Sequence, residues 1–168
     1  MSKQHAYTGR AGQFAVMAEF IIRGYNVAMP EIDIGDDIFV VKDSTGDLSR
    51  IQVKTAIGKA QKTPGCCSAQ FNIGYSHLKT ARKPEITYVF VARIADRWSE
   101  FVVIPRQELY SLRELKKVGS LTPSQKTGKQ NLVVTLAFKP DDVICSKQSL
   151  QQYRNCWDAW PIIDHQGK

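Results

Sequence analysis

A chain of 168 residues, 43% hydrophobic and 23% charged, has the length and balance of one globular domain with its own core. Its formal net charge of +7 points towards a polyanionic partner. No apolar run reaches membrane-spanning length, and cysteines at 66, 67, 145 and 156 fit neither a zinc pattern nor a disulfide framework, so the sequence reads as a cytoplasmic protein with reduced thiols and no membrane contact.

Residues 1–8 are polar and read as a disordered start, with Thr8 placed to cap a helix running to about Arg23. At about 100° per residue, Met17, Phe20 and Ile21 fall within about 80° of Gln13, which puts Gln13 on or near the apolar face. Glu19 falls about 120° away, towards solvent. Tyr25–Met29 reads as a strand closed by Pro30. Glu31 and Asp33 then read as solvated loop and Asp36 as a turn residue, whereas Asp37 abuts the apolar run Ile38–Val41.

Two apolar runs, Ile38–Val41 and Ile51–Val53, flank the turn-favouring Asp43–Asp47 and predict a β-hairpin. Gln52 and Lys54, two apart, project from one face of its second strand. A four-residue turn sets Asp37 across from Gln52 or Lys54 on that face, and a five-residue turn sets it across from Val53. The sequence leaves the register open; the chemistry of the three side chains favours the first.

From Leu48 to Pro84, seven basic residues occur without one Asp or Glu. Glycines and prolines mark much of this stretch as loop, with a short strand near Gln70–Tyr75. Arg50, Lys59, Lys62, Lys79, Arg82 and Lys83 are candidate contacts to a DNA backbone. Residues 87–94 and 99–104 read as strands, the first apolar enough to be buried on both faces. Pro105 opens a helix from Arg106 to about Lys117 with Leu109, Leu112 and Leu115 as its buried stripe. Gly119–Lys129 reads as a mobile polar loop and Asn131–Phe138 as a strand. Ser146 is placed to cap a last helix in which Leu150, Tyr153 and Trp157 share a face. The apolar-aromatic end, Tyr153 to Ile163, exceeds what one helix face buries; it either packs inside the domain or supports self-association. His5, His77 and His165 are too scattered for a ligand set.

A strand led by Asp36-Asp37, then Gln52-Val53-Lys54, lies behind a helix that opens Gly9-Arg10-Ala11-Gly12-Gln13 and ends at Arg23-Gly24-Tyr25-Asn26-Val27. This order resembles the PD-(D/E)XK nuclease superfamily in its glutamine variant, as in small homing endonucleases and bacterial endonuclease-like families. The match covers residues 9–55. It implies an α/β fold with a restriction-endonuclease-like core, a central mixed β-sheet flanked by helices, in a single domain over 1–168. It also implies metal-dependent hydrolysis of DNA phosphodiesters, with Mg²⁺ as the cofactor and Mn²⁺ as its substitute. Asp37, Gln52 and the Val53 carbonyl would ligate the metal, and Lys54 would orient the attacking water or steady the phosphate oxygens. Members often add a carboxylate from the first helix; that place holds Gln13 here, leaving Gln13 and Glu19 as candidate contributors. One firm carboxylate implies weak Mg²⁺ binding until DNA phosphate completes the shell. The same glutamines leave open a catalytically weak or inactive module that holds DNA or protein. Cutting both strands would call for a homodimer or a dimer of dimers.

Overall fold

The computed structural model describes residues 3–32, 35–124 and 128–163. Along the chain run α1 (Lys3–Ile22), β1 (Asn26–Ala28), β2 (Ile38–Lys42), β3 (Asp47–Ile57), β4 (Lys59–Ala60), β5 (Cys67–Gly74) and α2 (Tyr75–Lys79). They are followed by β6 (Ile86–Ile94), β7 (Arg97–Trp98), β8 (Val102–Pro105), α3 (Arg106–Lys116), β9 (Ser120–Pro123), β10 (Gln130–Phe138), β11 (Val143–Cys145), β12 (Gln148–Ser149) and a 3₁₀ turn over Gln151–Tyr153.

Almost every residue of β6 is apolar, and such a strand needs cover on both faces. It lies inside a mixed sheet ordered β1-β2-β3-β6-β7, parallel to β3, with β8 also paired to it. Val89 and Val91 pack towards α1 with Val16, Phe20, Ile38, Ile51 and Val53. Tyr88, Phe90 and Ala92 pack the other way, against an antiparallel sheet ordered β12-β11-β10-β5-β4, with β9 paired to β10. That second sheet alternates: Ala69, Phe71, Ile73, Leu132, Val134 and Leu136 are buried, while Gln70, Asn72 and Thr135 are exposed. The fold is thus mixed α/β, with few helices around a curled mixed sheet.

Helix α1 approaches β3 closely at Gly12, where an added Cβ would lie 2.0 Å from Thr55 Oγ1. A side chain there would push the helix off the sheet. From the other end, Trp157 and Trp160 meet Phe20 edge-on at 5.3 and 5.2 Å, and Ile163 N–H donates to the Arg23 carbonyl. The C-terminal segment therefore straps α1 to the mixed sheet. Trp157 and Trp160 are buried in the chain's own core, so this end packs inside the domain. Ile162 stays exposed, as do Tyr7, Phe14 and Ile21 of α1.

Several expectations are corrected. The chain is helical from Lys3, so residues 3–8 are ordered and Thr8 lies inside α1, its hydroxyl donating to the Gln4 carbonyl. Leu115 is 82% exposed, because its six-residue offset from buried Leu109 amounts to about 120° around the axis. Part of Gly119–Lys129 forms β9; residues 125–127 lie outside the described residues. The basic stretch is mostly ordered, since β3 continues to Ile57 and β5 spans eight residues. No α-helix follows Ser146 among the described residues. Ser146 and Lys147 have φ of 50° and 67° and form the two-residue turn of the β11–β12 hairpin. Leu150, Tyr153 and Trp157 are all buried, but from a 3₁₀ turn and extended chain.

Candidate active site

The β2–β3 pairs run from Ile38↔Ile51 to Lys42↔Asp47, which leaves a four-residue turn over 43–46. Gly46 supplies its φ of 73°, and Gly46 N–H closes it on the Lys42 carbonyl at 2.7 Å. That register puts Asp37 across from Gln52, and Asp37 N–H donates to the Ile51 carbonyl at 2.9 Å. Ile51 and Val53 face α1, so Gln52 and Lys54 face the second sheet.

Because β2 pairing stops at Ile38, β3 has an open edge beside Val53, and the Asp37 carboxylate fills it. Asp37 Oδ2 accepts from the Val53 N–H at 2.7 Å and from Gln52 Nε2, and Oδ1 accepts from Gln13 Nε2 at 2.7 Å. The N–H and C=O of one strand residue point to the same edge, so the Val53 carbonyl opens on this gap too. Gln13 is held by its neighbours: Gly12 brings α1 onto β3, and Arg10 donates to Gln13 Oε1 at 3.1 Å. The buried carboxylate of Asp37 thus accepts from donors on two elements, α1 and β3.

Asp36, next in the chain, has a different partner. Arg50 grips it in two-pronged fashion, Nε to Oδ1 at 3.1 Å and Nη2 to Oδ2 at 2.6 Å, with the Asp36 side chain 2% exposed. Arg50 therefore fixes the mouth of β2 through this pair. Asp36 is a buried ion-pair partner and not a bare turn residue.

Lys54 and Gln52 line a cavity of about 410 Å³ with Tyr88, Gly35, Gly74 and His77. Tyr88 is the register partner of Gln52 across the parallel β3–β6 ladder. Burial pushes its phenol up to about 12. Neither Tyr88 nor His77 was singled out as a site residue by sequence. Tyr88 carried no signal beyond an apolar strand, and His77 no spacing to another ligand.

Among the described residues, no three His, Cys, Asp or Glu side chains group to hold a metal ion. The donors at hand are one carboxylate, an amide oxygen and a backbone carbonyl, all hard oxygen ligands of the kind Mg²⁺ takes. They fit such a cation once the Gln52 amide turns to present Oε1 in place of Nε2.

No protein-family model and no curated protein matches the chain. Among solved structures it is similar to that of a bacterial homing endonuclease, I-Ssp6803I, with a TM-score of 0.51 and 18% identity over 94% of this chain and 90% of that one. The fold is endonuclease-like. In this endonuclease-like fold the remaining predicted residues fall into three places. Glu19 pairs with Arg23 at 2.8 Å, about 9 Å along α1 from Gln13, and takes no part in the Asp37 group. Lys59 and Lys62 are exposed on and after β4, roughly 16 Å or more along the chain from Lys54. Lys79 is exposed on α2; Arg82 and Lys83 follow it, and Arg82 Nη1 comes within 3.8 Å of where a Gly35 side chain would begin.

Proposed function

We propose that the chain is a metal-dependent DNA endonuclease whose active site is Asp37, Gln52, Val53 and Lys54, with Gln13 from α1. The observation that carries this reading is the convergence of Asp37 with Gln52 and Val53 at an open strand edge, with Lys54 in the adjoining cavity. Asp37, the Gln52 amide oxygen and the Val53 carbonyl would hold Mg²⁺ or Mn²⁺. Bound there, the ion would supply charge neutralisation at the phosphate and a hydroxide near neutral pH. Lys54, the nearest cation along β3, orients the attacking water or steadies the phosphate oxygens. Gln13 fixes the Asp37 carboxylate from the α1 side.

Lys79, Arg82 and Lys83, which follow His77 in the chain, are the leading candidates for backbone contact, with Lys59 and Lys62 reaching further along a duplex. One site holds one scissile phosphate, so double-strand cutting would need a homodimer or a dimer of dimers. The four cysteines are free thiols, which suits a reducing compartment such as the cytoplasm.

A second reading is a binding module without cleavage. It is favoured by the fact that the Asp37 carboxylate already has N–H donors from Gln13, Gln52 and Val53. Incubating supercoiled plasmid with the protein at low salt, with Mg²⁺, Mn²⁺ or chelator, separates the two. Metal-dependent relaxation or linearisation supports the enzyme. Retained DNA with no cut under either ion supports the module.

A further inference from the structure

The cavity beside Lys54 has two walls, and the reading above uses only one. Gln52, Lys54 and Tyr88 come from the mixed sheet; His77 comes from α2 on the other side. The imidazole stands between two glycines. A Cβ at Gly35, whose φ is 105°, would lie 3.3 Å from His77 Nδ1, and one at Gly74 would lie 3.2 Å from His77 Cδ2. Larger residues at either place would crowd the ring. Helix α2 is pinned from behind: Leu78 is fully buried, and buried Arg106 donates to the Leu78 carbonyl at 2.7 Å while gripping Glu85. Tyr75 adds a bond to Glu114 at 2.6 Å. The segment carrying His77 is therefore fixed, while His77 is exposed as a residue.

We propose that His77 is a further catalytic residue of the nuclease site, the proton donor to the leaving sugar oxygen of the scissile phosphodiester. The proposal rests on the reading of Asp37, Gln52 and Lys54 as a phosphodiesterase site. In-line displacement at phosphorus needs the nucleophile on one side and the leaving group on the other. Asp37 and Lys54 serve the first side, and His77 lines the same cavity from a separate element, α2. Water adds its oxygen to phosphorus and releases a proton to solvent. The bond from phosphorus to the sugar oxygen breaks, and that oxygen takes a proton from the imidazolium. His77 regains its proton from solvent, so the net change is one water consumed. The other protic groups here suit this role less. Tyr88 is buried and its proton is held up to about 12, and guanidinium such as that of Arg82 does not release a proton in proteins.

The test compares nicking of supercoiled plasmid by the unaltered protein, His77→Gln and His77→Gly, each with Mg²⁺, alongside DNA affinity in chelator. The expected result is a loss of about 10²-fold or more in rate for both variants, with DNA affinity within about threefold of the unaltered protein. Imidazole added to His77→Gly is expected to restore part of the rate, which a ring needed only for packing would not allow. Nicking by His77→Gln within about threefold of the unaltered protein overturns the proposal. So does a loss accounted for by weaker DNA binding, or a loss that imidazole leaves unchanged. No nicking by the unaltered protein overturns the nuclease reading itself, and this proposal with it.

Discussion

Two neighbouring carboxylates at the mouth of β2 are held in opposite ways. Asp36 is gripped by a full positive charge, the two-pronged Arg50, in a pair nearly closed to water. Asp37 accepts from the amides of Gln13 and Gln52 and from the Val53 N–H. An ion pair of the first kind is a fixture, because removing one member strands the other in low dielectric. An amide is reversible: turned about its bond, the same group offers oxygen instead of N–H. The comparison separates a carboxylate gripped by a guanidinium from one that accepts from amide groups able to turn.

Five substitutions sharpen or break that contrast. The largest effect is expected on cutting: Asp37→Ala and Lys54→Ala should each lower plasmid cleavage by about 10³-fold or more, leaving DNA affinity unchanged or, for Asp37→Ala, raised. Cleavage by Asp37→Ala at the normal rate would mean that the two carboxylates do not differ as argued. Next, Arg50→Ala leaves Asp36 buried without its charge partner and should lower unfolding stability by about 3 kcal/mol in urea titrations. Had Arg50 been a phosphate contact, stability would hold and the salt dependence of DNA binding would fall by about 0.9 in slope instead.

Gln52→Glu replaces a donor to Asp37 with a second acid. Without metal this should cost about 1–3 kcal/mol of stability, and Mg²⁺ should recover it in thermal melts. A variant as stable as the unaltered protein without metal would show that the Gln52 amide is not what holds Asp37. Smallest is Glu19→Ala, which removes an i,i+4 pair on α1 and should shift stability by about 0.5 kcal/mol with cleavage intact.

Much of the Asp37 side was legible because its determinants are local. The turn residues from Asp43 to Gly46 set the hairpin register, and strand alternation then places Gln52 and Lys54 on one face. Gln13 was legible from helical phase. The Arg50 pair was not legible because its partner, Asp36, precedes the acid-free stretch that suggested DNA contact. Pairing of β5 with β10 joins Cys67–Gly74 to Asn131–Phe138, a separation no local pattern reports, so the second sheet went unseen. His77 was hidden for the same reason: its place on the cavity wall depends on how α2 docks under Arg106, and the only local hint was Gly74. The C-terminal helix failed because a three- and four-residue spacing of apolar residues also arises from a hairpin followed by a 3₁₀ turn.

The central claim is that Asp37 is a cation ligand whose site DNA completes. Titrating Mn²⁺ into the protein with and without a short duplex, for the unaltered chain and Asp37→Asn, tests it most directly. The account predicts weak binding by the unaltered protein alone, at least tenfold tighter binding with duplex than the duplex and protein show separately, and loss of that gain in Asp37→Asn (a tenfold gain is about 1.4 kcal/mol). Equal Mn²⁺ binding by the unaltered protein and Asp37→Asn in the presence of duplex would contradict it.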